Sequence, residues 1–212
     1  DAMRAETSSD DDIPLLDIGE ADIDAPLLES FALEGEFEEV PRNILSCDLW
    51  ILGASLGGPA ALKRFFSALV EPIPVCFVIA QHIDAHFVTV LGKIIEQANS
   101  FYHVQVLSRP SLIEAGWTLL VPIEKRLRFL DAGQIVHSAQ NWSPPYSPCI
   151  DDVLLDAVSA YRKQVHCIVF SGMGEDGVAG AARIRDEGGE VWVQDRDSCA
   201  SSVMPDAIVQ HN

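Results

Sequence analysis

The chain has 212 residues and is 48% hydrophobic, which is enough to bury one full core with a further segment beside it. Its 32 acidic and 14 basic residues give a formal net charge of -18. That charge repels a phosphate backbone and disfavours nucleic acid as a partner. No apolar run approaches the roughly 18 residues of a membrane-spanning helix, and the N-terminus lacks the basic and apolar regions of a secretory signal.

The five cysteines are widely spaced, and no two of them form a C-x-x-C pair. An odd number in this arrangement indicates neither a disulfide framework nor a zinc cluster. We therefore expect reduced thiols, a cytoplasmic location and no bound metal.

The first 46 residues carry 14 of the 32 acids but only 2 of the 14 bases. Such a segment buries too little apolar surface to offset its ordering entropy, so we predict a mostly disordered acidic linker at 1–46 and a folded domain at 47–212. Within the linker, the sequence PLLD at 14–17 recurs as PLLE at 26–29. The repeat is either a pair of short hydrophobic docking elements or a chance recurrence in biased sequence.

From residue 47 onward, short apolar runs alternate with helical patterns, which is typical of parallel strands joined by helical crossovers. Strands are predicted at 49–54, 75–81, 102–107, 117–121, 166–171 and 190–194. Helices are predicted at 58–69, 87–99, 150–161 and 178–187. Two short runs between 127 and 139 predict an antiparallel hairpin. The expected fold is α/β, a doubly wound, mostly parallel sheet flanked by helices, with the small hairpin at one edge.

A glycine-rich motif, GASLGG at 53–58, joins the first predicted strand to the first predicted helix. It satisfies the G-x-S-x-G pattern of a nucleophile elbow, in which Ser55 stands exposed on a sharp turn. The same glycines also suit a phosphate cradle at a helix N-terminus, or a purely structural turn. The motif alone leaves these three interpretations open.

The second motif, QHIDAH at 81–86, ends the next predicted strand. Because successive strands of a β-α-β unit usually lie side by side, His82 would be near Ser55 and could act as its base. A structural histidine is the simpler alternative. His82 and His86 have a spacing that can bind metal on a helix, but the glutamate of H-E-x-x-H is absent.

The third motif, SGMGEDG at 171–177, again lies between a strand and a helix. Asp176 is a candidate helix N-cap and also a carboxylate that could orient a histidine base. We expect the neighbouring Glu175 to be solvated. Serine, histidine and aspartate thus each follow a predicted strand, at the edge of a parallel sheet where active sites form.

Taken together, these motifs resemble the CheB family of protein-glutamate methylesterases, which act on bacterial chemoreceptors. The matching segments are ILGASLGG, AQH, AGW through Pro122, SPCID, FSGMGEDG, VQD, SC and MP, in the family's order from about residue 48 to the end. The order of the triad, Ser then His then Asp, differs from that of the α/β-hydrolases.

The resemblance implies hydrolysis of glutamate methyl esters on the cytoplasmic domain of a methyl-accepting chemoreceptor, with release of methanol and with glutamine deamidation as a second activity. It implies Ser55 as nucleophile, His82 as general base and Asp176 as its orienting carboxylate. The backbone N–H groups of Leu56 and Met173 would form the oxyanion hole. No cofactor is implied, and we expect a monomer.

Several positions depart from the family pattern. Leu56 stands where threonine is common, and Tyr146 lies in a segment where the family carries His-Arg. The family domain continues beyond the Met-Pro helix, so we expect a piece truncated at its C-terminal edge. The family's receiver domain would lie outside this chain, because residues 1–46 are too few to form it.

Two other functions are alternatives to catalysis. One is a catalytically silent module that binds a receptor or signalling helix. The other is a nucleotide-binding protein, which the sequence disfavours because GASLGG is not G-x-G-x-x-G and no acid ends the second strand.

Overall fold

The computed structural model describes residues 44–211. The two short repeats predicted at 14–17 and 26–29 lie outside the described residues. Leu45, on the linker side of the predicted boundary, is buried and exchanges two hydrogen bonds with the side chain of Gln164, at 2.9 and 3.1 Å. The described core therefore includes residues just before Cys47.

The described residues form nine strands and five α-helices. The strands are β1 (Asp48–Ala54), β2 (Val75–Gln81), β3 (His103–Val106), β4 (Ser111–Leu112), β5 (Trp117–Leu120), β6 (Leu127–Leu130), β7 (Gln134–His137), β8 (Val165–Val169) and β9 (Val191–Val193). The helices are α1 (Gly58–Ala68), α2 (Ala85–Ala98), α3 (Ile150–Tyr161), α4 (Val178–Asp186) and α5 (Val203–His211). The six predicted main-sheet strands and four predicted helices are confirmed, and α5 is additional.

The main sheet is parallel throughout and has the order β3-β5-β2-β1-β8-β9. All seven residues of β2 are buried, which explains its almost wholly apolar sequence, VCFVIAQ. A parallel strand in the middle of a sheet needs apolar side chains on both of its faces, because helices cover each one. The predicted α/β fold class is confirmed.

Alternate residues of the central strands pack into two separate cores. In β1, Leu49 and Ile51 join one core, whereas Leu52 and Ala54 join the other. The first core also contains the buried faces of α3, α4 and α5, and the second contains those of α1 and α2. The period of two along each strand thus separates the two helical layers.

The predicted hairpin is present, with β6 and β7 antiparallel to each other. It pairs with β4 in a separate three-stranded sheet of order β4-β7-β6, rather than with a strand of the main sheet. α3 covers it, since Asp156 accepts a hydrogen bond from the backbone N–H of Phe129 at 2.7 Å.

Strand order determines which loops meet. β1 lies between β2 and β8, with Gly53 opposite Ala80 on one side and Val169 on the other. The loops that follow these three strands carry Ser55, His82 and Asp176, so the three motifs lie at one edge of the sheet. Of the helices in residues 44–211, none has the length and hydropathy that a membrane span requires.

Candidate active site

Ser55 lies on a tight turn between β1 and α1. The N–H of Gly58 donates to the carbonyl oxygen of Ser55 at 2.9 Å, and Gly57 has a left-handed backbone with φ of 82°. A Cβ atom at Gly58 would come within 2.0 Å of Gln81 Oε1. The turn therefore needs glycine at both positions, at Gly57 for its backbone conformation and at Gly58 for space.

Two buried polar residues hold this turn in place. The N–H of Ser55 donates to the carbonyl of Ser171 at 3.0 Å, and Ser171 Oγ donates to the carbonyl of Leu56 at 2.7 Å. Gln81 Nε2 donates to the carbonyls of Ser55 and His82, at 2.8 and 2.9 Å. Sequence reasoning assigned no role to Gln81 or Ser171. The only sign of these two residues in the sequence was that each is a polar residue at the end of an apolar run.

The two backbone groups predicted to form an oxyanion hole lie on the loops after β1 and β8. Neither the N–H of Leu56 nor that of Met173 donates a hydrogen bond to any residue within 44–211. Their side chains are exposed, at 54% and 57%. Neither backbone donor is therefore already used within residues 44–211, and the oxyanion hole stays a prediction.

His82 and Asp176 are in direct contact. His82 Nε2 lies 2.8 Å from Asp176 Oδ2, and the backbone N–H of His82 donates to the carbonyl of Ala54 at 2.9 Å. The side chain of Asp176 is only 1% exposed, against 14% for His82. A partly accessible imidazole held by a buried carboxylate is the arrangement that a general base requires.

Asp176 also accepts hydrogen bonds from the start of α3. The N–H groups of Ile150 and Asp151 donate to its two oxygens at 2.7 and 2.9 Å, and Cys149 Sγ lies 3.5 Å from Oδ1. Burial alone would raise the pKa of Asp176, but the hydrogen bonds from His82 and from these backbone groups outweigh it. The pKa of Asp176 therefore lies below its usual range, and the carboxylate is ionised at neutral pH.

Asp176 was also a candidate N-cap for the helix that follows it. That helix, α4, begins after Gly177 and has no side-chain cap hydrogen bond from this position. Asp176 instead serves α3, while Asp151 in the first turn of α3 accepts from the N–H of Gly180 in α4 at 2.7 Å. The N-terminus of each of these two packed helices is thus bonded by a carboxylate from the start of the other.

Ser55 and His82 lie on adjacent loops, but the Ser55 hydroxyl makes no hydrogen bond to His82 or to any other residue within 44–211. In enzymes without bound substrate such contacts are often long, and they tighten when substrate binds.

The ring of Tyr146 stacks on one face of the His82 imidazole, with ring centroids 4.8 Å apart and planes inclined by 6°.

The remaining candidates take no part in this arrangement. His86 lies in the first turn of α2, where its backbone N–H donates to Asp84 Oδ1 at 2.9 Å. Glu175 is exposed, as expected for a solvated residue. Within the described part of the chain, no group of three or more His, Cys, Asp or Glu residues is arranged to hold a metal ion.

Two known proteins with similar sequences carry the same name. The protein-glutamate methylesterase/protein-glutamine glutaminase 1 of Pseudomonas aeruginosa is 31% identical over 161 residues, and the protein of the same name from Vibrio vulnificus is 31% identical over 175. Each match covers 76% of this chain and 44% of the relative. The chain therefore spans less than half the length of these curated relatives.

The fold also matches a solved structure. The crystal structure of the Thermotoga maritima CheB methylesterase catalytic domain aligns with a TM-score of 0.72, covering 78% of this chain and 88% of that one at 23% identity. The family model for CheB methylesterase matches residues 50–212, which include the whole of the arrangement around Ser55, His82 and Asp176. The chain belongs to the CheB methylesterase family.

Proposed function

We propose that residues 47–212 form a methylesterase catalytic domain that hydrolyses glutamate methyl esters on the cytoplasmic helices of a chemoreceptor. The observation that carries this proposal is the 2.8 Å contact between His82 and the buried Asp176, beside the partly exposed turn that bears Ser55. Membership of the CheB methylesterase family supports the choice of ester. The relatives named protein-glutamine glutaminase support deamidation of glutamine as a second reaction.

In this proposal the reaction is an acyl transfer in two steps. Ser55 Oγ attacks the ester carbonyl carbon while His82 accepts the hydroxyl proton. The bond to the methoxy oxygen then breaks, and the imidazolium returns the proton so that methanol leaves. Water attacks the acyl-enzyme with His82 again as base, which frees the glutamate carboxylate and restores the Ser55 hydroxyl.

Asp176 keeps the imidazole oriented and stabilises its positive charge, a role supported by the burial and lowered pKa of its carboxylate. The N–H groups of Leu56 and Met173 receive the oxyanion, and their lack of other acceptors within residues 44–211 supports this role. Loss of one such donor typically removes about 2.7 to 4 kcal/mol of transition-state stabilisation.

The test is methanol release from a methylated chemoreceptor fragment. We expect Ser55→Ala to lower kcat more than about 10³-fold, because the nucleophile of such a triad is essential. Ser100→Ala, the same change at an exposed serine before β3, is the matched control and should leave the rate unchanged. Equal rates for the wild type and Ser55→Ala would end the proposal.

Labelling by a fluorophosphonate separates catalysis from binding alone. A reactive Ser55 should be labelled in the wild type and not in Ser55→Ala. Receptor binding without label at Ser55 would favour a catalytically silent signalling module instead.

We further propose a cytoplasmic, monomeric domain, preceded in the full protein by the acidic linker and a receiver domain.

A further inference from the structure

Tyr146 stacks on the imidazole of His82. The two rings are parallel within 6° and their centroids are 4.8 Å apart, much as Trp50 stacks on His166 at 4.7 Å and 18°. The aromatic pairs in the core around Phe66 and Phe77 instead meet edge to face, at 67° to 88°. Edge-to-face packing suits two neutral rings, whereas a flat ring beneath an imidazole also suits the cationic form.

Tyr146 is held from its other end by the loop that carries Asp176. Gly174 in that loop has φ of 92°, and a Cβ atom there would lie 2.3 Å from Tyr146 Oη. On the chain side, the next residue, Ser147, donates from Oγ to the carbonyl of Ile123 at 2.7 Å. The Tyr146 side chain thus contacts His82 with its ring and approaches the backbone of Gly174 with its hydroxyl oxygen.

The stack completes the restraint of His82. A hydrogen bond from the backbone N–H fixes the main chain, and the bond to Asp176 fixes Nε2. Rotation of the imidazole about its Cβ–Cγ bond would break the contact between Nε2 and Asp176. The parallel Tyr146 ring opposes the same rotation, because it occupies the space beside one face of the imidazole.

We propose that Tyr146 is a positioning residue for His82. It holds the imidazole plane in the orientation that keeps Nε2 on Asp176, which leaves Nδ1 as the nitrogen that accepts the Ser55 proton in the proposed reaction, and its π-face supports the positive charge that His82 gains in each step. The inference rests on the proposed esterase function, in which His82 is the base. It predicts that the aromatic ring matters and that the phenolic hydroxyl matters little.

The experiment compares Tyr146→Leu with Tyr146→Phe, using methyl-ester hydrolysis and the downfield proton signal of the hydrogen-bonded His82 Nε2–H in NMR spectra. We expect Tyr146→Leu to lower kcat about tenfold with KM within about twofold, and to broaden the signal, because the ring no longer supports the imidazole. Tyr146→Phe should retain most of the rate and a sharp signal. Phe101→Leu, the same type of change at an exposed site before β3, is the control.

A second variant pair covers the case in which Tyr146→Leu does not fold. Gly174→Ala would push against Oη and move the ring, and it would also strain the backbone, whose φ is 92°. It should slow hydrolysis and broaden the His82 signal, and adding Tyr146→Phe should sharpen the signal again by removing that oxygen, although the backbone strain keeps the rate below that of the wild type. Wild-type kcat and an unchanged signal in folded Tyr146→Leu would overturn the inference, as would an unchanged signal in Gly174→Ala. An active Ser55→Ala would defeat the esterase proposal instead, while the NMR signal would still report on the stack.

Discussion

A carboxylate accepts hydrogen bonds from the N-terminus of each of the helices α3 and α4, but the pKa values of the two carboxylates are shifted in opposite directions. Asp176, which accepts hydrogen bonds from the first N–H groups of α3, has a pKa below its usual range. Asp151, which accepts from Gly180 at the start of α4, has a raised pKa, because burial outweighs its backbone hydrogen bonds and the charge of Asp176 adds to it. Both accept backbone N–H groups, and only Asp176 also contacts an imidazole. Hydrogen bonds from a helix N-terminus alone therefore do not determine the direction of the pKa shift of a carboxylate here.

The largest difference between the two carboxylates should appear in catalysis. We expect Asp176→Asn to lower kcat for methyl-ester hydrolysis about 10³- to 10⁴-fold, because the amide no longer orients and stabilises the imidazolium. Asp151→Asn keeps an oxygen acceptor for Gly180 and should cost less than about tenfold. Steady-state methanol release measures both rates, and similar losses would contradict the assigned roles.

The two carboxylates should also differ in how they change the free energy of unfolding as the pH falls. Because the folded-state pKa of Asp176 is lowered, its contribution is fully present above the unfolded value of about 3.9 and is lost as pH falls through the folded pKa. The raised pKa of Asp151 acts in the opposite sense, so its ionised form opposes folding at neutral pH.

Urea unfolding at pH 7 and at pH 4 and below measures this effect. Asp176→Asn should lower the free energy of unfolding at pH 7 by about 1 to 3 kcal/mol and reduce its fall in acid. Asp151→Asn should change it by less than about 1 kcal/mol or raise it slightly. A larger loss for Asp151→Asn at pH 7 would contradict the comparison.

Removing the imidazole should make the two carboxylates alike. The His82 hydrogen bond is the strongest influence lowering the pKa of Asp176, and burial opposes it. In His82→Ala we therefore expect the pKa of Asp176 to rise, toward the behaviour of Asp151. Titration of the side-chain carboxyl carbons by ¹³C NMR provides the measurement, with His86→Ala as the matched control outside the site. An unchanged pKa of Asp176 would show that the backbone donors suffice.

The smallest expected effect is on Asp151 when its neighbour loses charge. The charge of Asp176 contributes to the raised pKa of Asp151, but less than burial does. In Asp176→Asn the pKa of Asp151 should fall slightly and remain above its usual value. The same NMR titration detects this shift, and a rise would contradict the electrostatic coupling between the two.

Much of the site could be predicted because its signals are local. Ser55 stands in a glycine turn directly after an apolar run, and His82 and Asp176 likewise follow apolar runs. Parallel strands bring such positions to one edge of the sheet, and the pairing of β1 with β2 and β8 puts these three loops next to one another. The catalytic roles of these residues stay predictions until the variants are measured.

The amino-acid pattern by itself determined the six strands of the main sheet, four of the five helices, the fold class and the three motif loops, because each depends on periodicity and turn residues close together in sequence. Only the tertiary structure decided that Asp176 caps α3 rather than α4, that the hairpin pairs with β4, and that Tyr146 covers His82. These contacts join residues far apart in the chain. They depend on strand order and on how the side chains pack around the sheet, which no local pattern encodes.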